Sequence, residues 1–292
     1  MEWWEAVVLG LVQGLTEFLP ISSSAHLRVV GELLPSGADP GAAFTAITQI
    51  GTESAVLLYF RHDIARIVAA WWSALRGRHG TAWRARMGGG DPDARMAWWI
   101  ALGSVPIVVL GLAFEDSITG TFRNLYLIAG TLAVFAIVLG IADRVGAKRR
   151  VLSELTARDA VVLGFAQALA LVPGVSRSGG TITFGLFLGF TREAAARYSF
   201  LLAIPAVMGS GLQQLVTSVD DFGDPGTPTL GVTVLATAIA FAVGYLVIIG
   251  FLRLVTTRSY LPFVVYRLVM SALVIALLTV GVLEPLSGSA AG

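Results

Sequence analysis

Six stretches of this 292-residue chain are long and predominantly apolar: about residues 44–60, 97–113, 124–142, 198–217, 230–252 and 263–283. Each is long enough to cross about 30 Å of hydrocarbon as a helix. A water-soluble fold is excluded by what surrounds them. Hydrophobic residues make up 55% of the chain and charged residues 13%, about half the ~25% of soluble domains. No water-facing shell can be assembled from so few charges, so lipid is the solvent for most of the surface. The expected class is an all-α, polytopic integral membrane protein forming a single membrane domain over 1–292. A net charge of +1 leaves no electrostatic footprint for nucleic acid. The absence of cysteine excludes a disulfide framework, a thiolate metal site and a Cys nucleophile. The opening Met1-Glu2-Trp3-Trp4 lacks the basic region of a signal peptide, so the first apolar segment is expected to stay in the mature protein.

Two further apolar regions are broken. Residues 3–34 are interrupted by Pro20 and Ser22-Ser23-Ser24, and residues 159–190 by Pro173-Gly174 and Ser176-Arg177-Ser178-Gly179-Gly180. Neither half of either region can span alone. Both read as helix–break–helix hairpins that enter and leave by one face, because irregular backbone at membrane depth is tolerated only where protein or a wet cavity covers it. Sixteen of the 20 basic residues lie in 61–95, 143–158, 191–197 and 253–258, which the positive-inside rule places in the cytoplasm. The loops carrying Glu115 and Asp116, and then Asp220, Asp221 and Asp224, face outward on this reading. All sides agree only if both hairpins are re-entrant, the first from outside and the second from the cytoplasm. Opposite entry predicts an inverted repeat, about 1–142 against about 155–285. Gly10-Leu11-Val12-Gln13 before Pro20 matches Gly164-Phe165-Ala166-Gln167 before Pro173. Residues 64–75 read as an interfacial helix.

A charge at bilayer depth costs about 2.5–3.5 kcal/mol on insertion scales and needs a partner or a purpose. Here the set is Glu17, His26, Arg28, Glu53, Arg177 and Arg267. Gln13 and Glu17 share a helix face; they could hold a hard divalent cation, or Glu17 could act as a base, or simply snorkel. Ser22, Ser23 and Ser24 could cap a helix, but His26 two to four residues on suits deprotonation of a serine hydroxyl. Arg177, flanked by Ser176, Ser178 and Gly179, suits a phosphate, or an ion pair with Glu17 or Glu53. Glu53, four residues after Gln49, could complete a carboxylate cluster with Glu17. Arg28 and Arg267 are expected to snorkel or pair, Arg267 near the cytoplasmic end of its span.

The stretch 13–27, QGLTEFLPISSSAHL, and the stretch 173–180, PGVSRSGG, resemble the two signature motifs of the undecaprenyl-diphosphate phosphatase family of the bacitracin-resistance type. The resemblance extends over the length and the pattern of spans. It implies a bacterial plasma-membrane enzyme that hydrolyses undecaprenyl diphosphate to undecaprenyl phosphate, recycles the lipid carrier of peptidoglycan synthesis and confers bacitracin tolerance. The family's acidic motif falls on Gln13 and Glu17, its serine element on Pro20, Ser22, Ser23 and His26, and its arginine element on Pro173 to Gly179. The second of the paired serines, the family's favoured nucleophile, is Ser23. Gln13 is the amide variant, leaving one carboxylate fewer for metal or base work. The expected site therefore has Ser23, His26 and Glu17 as catalytic residues. Arg177, Ser176, Ser178, Gly179 and Ser22 bind the diphosphate. Glu17, Gln13 and Glu53 would hold Mg²⁺ or Ca²⁺. The pocket would open outward, the partners being the prenyl diphosphate lipid and the bilayer, with room for a homodimer. The competing expectation is a flippase, because broken helices meeting in inverted repeats also serve secondary transporters.

Overall fold

The computed structural model describes residues 1–36, 40–78, 80, 82–224 and 227–286. Among the described residues it contains thirteen α-helices and no β-sheet. In order they are α1 (Trp3–Thr16), α2 (Ser23–Leu33), α3 (Gly41–Tyr59), α4 (Arg61–Leu75), α5 (Trp83–Arg86), α6 (Pro92–Ala113), α7 (Glu115–Thr119), α8 (Leu125–Val145), α9 (Ala157–Ala168), α10 (Arg177–Phe187), α11 (Arg192–Thr217), α12 (Leu230–Thr257) and α13 (Leu261–Thr279). Polar residues at the loop edges start several of them. The side chains of Asp91, Asn124, Thr156, Thr191 and Thr229 each accept from a backbone N–H in the first turn of α6, α8, α9, α11 and α12, satisfying donors that a helix start leaves free.

Five helices, α6, α8, α11, α12 and α13, are long and apolar enough to cross a membrane, and the protein is a multi-pass membrane protein. The sixth expected span, 44–60, forms the 19-residue α3 but falls outside that group, its hydropathy diluted by Thr45, Thr48, Gln49, Thr52, Glu53 and Ser54. Its hydroxyls are not loose ends: Thr45 donates to Gly41 O at 2.8 Å and Ser54 to Ile50 O at 2.7 Å, within the helix. Large apolar side chains such as Val109, Leu112, Ile137, Leu246 and Val269 point away from the protein, which only a lipid surrounding makes economical. The expected interfacial helix is α4, amphipathic, with Trp72 exposed and stacked under Arg76.

Both broken regions are helix–break–helix: α1 and α2 flank residues 17–22, and α9 and α10 flank residues 169–176. The halves of the chain exchange partners. α1 packs on α12 and α9 packs on α6, each at a glycine. A Cβ on Gly10 would lie 2.6 Å from Ala236 O, and one on Gly164 2.5 Å from Gly103 O, so backbones touch where any side chain would hold them apart. α3 and α11 pack together, as do α8 and α13. Phe18 sits edge-on to Phe200 of α11, with ring centroids 5.2 Å apart, and Phe200 continues to Phe60 and Phe251. This aromatic core starts within the first break, at Phe18.

Candidate active site

The breaks create the site. Helix α1 ends at Thr16, and the next turn carries Glu17 before Pro20 stops the helical hydrogen bonding. The chain then re-enters a helix through Ser22, whose φ of +72° is the left-handed region. The second break does the same at Ser176, with φ +71°. Such backbone costs about 1–3 kcal/mol at a residue other than glycine and persists only where surroundings enforce it. Ser176 caps α10, its Oγ accepting from Gly179 N at 3.1 Å. Ser22 does not cap α2; its hydroxyl accepts from Gly174 N of the other break at 3.2 Å and lies 3.1 Å from Ser24 Oγ. Ser178 Oγ returns the link, donating to Leu19 O at 3.1 Å.

One carboxylate joins the two breaks. Glu17 Oε2 accepts from Ser23 Oγ at 2.6 Å and from Gln13 Nε2 at 2.8 Å, while Glu17 Oε1 pairs with Arg177. Arg177 lies also 3.7 Å from the Glu53 carboxylate of α3. Gln13, Glu17, Ser23, Glu53 and Arg177, picked from segments 160 residues apart, therefore meet as one cluster, and all but Arg177 are buried. Glu17, Ser22, Ser23, Ser176 and Arg177 form one wall of a cavity of about 500 Å³. Its remaining lining is mostly apolar, including Ile107, Val108 and Leu112 of α6, Leu171, and Pro205 and Ala206 of α11, with Glu115 and Arg123 also in its wall.

The two breaks bring the expected binding residues Ser22, Ser176, Ser178 and Gly179 together. Of the two expected candidate bases, His26 makes no hydrogen bond to Ser23 among the described residues. Its ring nitrogens contact Ser22 O and the Tyr266 hydroxyl, each at 2.7 Å, and its ring stacks on Tyr266 at 5.6 Å. The group that holds the Ser23 hydroxyl is Glu17. Arg267 is corrected too: it neither snorkels nor pairs with a carboxylate among the described residues, but is fully buried against four backbone carbonyls. Arg28 pairs with Glu32 at 2.6 Å, as expected of a pairing residue. Tyr266 and the reach of Arg267 had no sequence signal, since both sit in an ordinary apolar span.

Among the described residues there is no group of three or more His, Asp or Glu side chains arranged around a metal position. The oxygens that could serve are instead mixed. Gln13 Oε1 and both carboxylate oxygens of Glu53 are buried with no hydrogen-bond partner among the described residues. Unpartnered buried oxygens next to a second carboxylate fit a hard divalent cation.

Comparison with known proteins places the whole chain in one family. The model of the family described as bacitracin resistance protein BacA matches residues 6–273. An Undecaprenyl-diphosphatase 2 of Agrobacterium fabrum is 61% identical over 286 residues, covering 97% of this chain and 98% of its own. An undecaprenyl-diphosphatase of Micrococcus luteus is 57% identical over 284 residues, covering 97% and 100%, and one of Pseudarthrobacter chlorophenolicus matches to the same extent. On a match of this length, the chain belongs to the bacitracin resistance protein BacA family.

Proposed function

We propose that this protein is an undecaprenyl-diphosphate phosphatase of the bacterial plasma membrane. It hydrolyses undecaprenyl diphosphate to undecaprenyl phosphate and inorganic phosphate, which returns the carrier to peptidoglycan synthesis and gives tolerance to bacitracin. The observation that carries the reading is the single carboxylate, Glu17, hydrogen-bonded to Ser23 Oγ and paired with Arg177 in the wall of a cavity with an otherwise mostly apolar lining. A nucleophile, its base and a cation for the diphosphate are thereby in one place, beside a surface suited to isoprene units.

The diphosphate draws Arg177 from Glu17 and meets the free N–H groups at the starts of α2 and α10. Glu17 Oε2 takes the Ser23 hydroxyl proton as Oγ attacks the terminal phosphorus. The bond from that phosphorus to the bridging oxygen breaks, and undecaprenyl phosphate leaves. Glu17 releases the proton it took to the departing undecaprenyl phosphate; water then attacks the phosphoseryl group and gives one proton to Glu17, which passes it to Ser23 Oγ as phosphate departs. Charge neutralisation and positioning supply most of the acceleration in such reactions. Gln13, Glu17 and Glu53 are the residues that would hold Mg²⁺ or Ca²⁺, which supplies further neutralisation of phosphoryl charge. Glu115 and Arg123 in the cavity wall belong to a segment that the positive-inside rule expects outside, which supports an opening on the outer face.

The exchanged packing of α1 on α12 and α9 on α6 supports an inverted repeat of the two halves, and with it the alternative of a flippase for the carrier phosphate. Purified protein in detergent separates the readings, since no transport occurs there. Phosphate release from farnesyl diphosphate is expected, abolished by EDTA and lowered about 10²–10⁴-fold in Glu17→Gln, with a comparable loss in Ser23→Ala. Release by Ser23→Ala at the wild-type rate would remove Ser23 as the nucleophile. No release by the wild type, together with leaflet exchange in liposomes, would favour the flippase.

A further inference from the structure

Resting on the phosphatase reading, we infer that Arg267 of α13 is a positioning residue that sets the distance between Ser23 and Arg177 by clamping the two breaks to each other. The residue is 0% exposed. Its Nη1 donates to Pro20 O at 3.0 Å, its Nη2 to Gly174 O at 2.7 Å and Val175 O at 3.1 Å, and its Nε to Leu132 O of α8 at 3.2 Å. Pro20 lies three residues before Ser23, and Val175 two residues before Arg177. One planar fork therefore grips the chain just ahead of both reacting groups.

The physical need is plain. Each break leaves carbonyls that no helix pairs, at a depth where water does not compensate them. A guanidinium is always charged and carries five N–H donors in a rigid plane, so it satisfies acceptors from separate segments at a fixed mutual distance. A lysine ammonium offers one nitrogen and cannot span them. No carboxylate among the described residues neutralises Arg267, so its charge also faces the strained turns that receive a diphosphate. The close fit continues at Gly179, where a Cβ would lie 2.8 Å from Arg267 Nη1. Ser271, one turn along α13, donates to Ala129 O at 2.7 Å and fixes the helix to α8, giving the clamp a rigid base.

The test uses the full chain in detergent, with Arg267→Lys compared with wild type for farnesyl diphosphate turnover. The chain has no cysteine, so nitroxide labels at Leu11→Cys on α1 and Phe187→Cys on α10, both exposed, report the distance between the hairpins. The expected result is a kcat about 100-fold lower, the loss that about 1 Å of misplacement produces, with KM within about threefold and a shifted or broadened distance distribution. Gly179→Ala, which keeps Arg267 but presses on its Nη1, is expected to give the same pair of changes, and decides the matter if Arg267→Lys does not fold. A kcat within about threefold of wild type, or a lost kcat with an unchanged distance distribution, would overturn the clamp. Should the wild type release no phosphate, the phosphatase reading fails and the distance measurement alone judges the clamp.

Discussion

Glu17 is asked to do three things with two oxygens: accept from Gln13, accept from Ser23 and balance Arg177. Its i, i+4 relation to Gln13 is visible in the sequence; its contact with Arg177 is not, because 160 residues separate them. His26 has neighbours in space that its place in the sequence does not show. Nearness in sequence suggests a Ser–His pair, yet the ring turns toward the backbone. Ser22 O can only accept, so Nδ1 carries a proton, and in the neutral ring Nε2 accepts from the Tyr266 hydroxyl. On this geometry His26 supports the left-handed Ser22, while the Ser23 hydroxyl is held by Glu17. Tyr266→Phe and His26→Gln are each expected to lower kcat by no more than about tenfold, the worth of one hydrogen bond of about 1 kcal/mol, and the double variant by little more than either. A loss of about 10²–10⁴-fold in His26→Gln alone, measured by phosphate release, would mark it instead as the base.

At the scale of elements, helix and break were both legible. Prolines, serine runs and capping residues punctuate an otherwise continuous apolar pattern, and the helices start and stop where those residues stand. Hydropathy was less informative for α3, whose polar residues serve the site and its own backbone rather than the lipid. Glycine spacing carried information that only packing explains. Gly10 and Gly164 occupy corresponding places before the two breaks, and each lets a half-helix touch a span from the other half of the chain. Gly10→Ala and Gly164→Ala are therefore expected to destabilise the protein by about 1–3 kcal/mol each, as overpacking does, seen as a lower thermal midpoint in detergent. An unchanged midpoint in both would show that these contacts relax freely.

Across the whole molecule, one end is tied by ion pairs between arginines and aspartates: Arg197 to Asp63 at 2.6 Å, Arg66 to Asp93 at 2.8 Å, Arg192 to Asp143 at 2.6 Å and Arg150 to Asp159 at 2.6 Å. These are the segments whose basic residues the positive-inside rule assigns to the cytoplasm. A membrane-impermeant maleimide applied to intact cells is expected to label Val219→Cys and to label Trp83→Cys only after permeabilisation, both positions being exposed; the reverse pattern would invert the topology. The sequence by itself determined the solvent, the helical class, the two broken regions and the roster of buried charges, because hydropathy, helix period and breaker residues act over one or two turns. Tertiary structure decided which charges meet: Glu17 with Ser23 and Arg177, His26 with Tyr266, and Arg267 with carbonyls of both breaks. Those choices depend on how separate hairpins cross, and a carbonyl exposed by a break looks the same in sequence as one bonded within a helix.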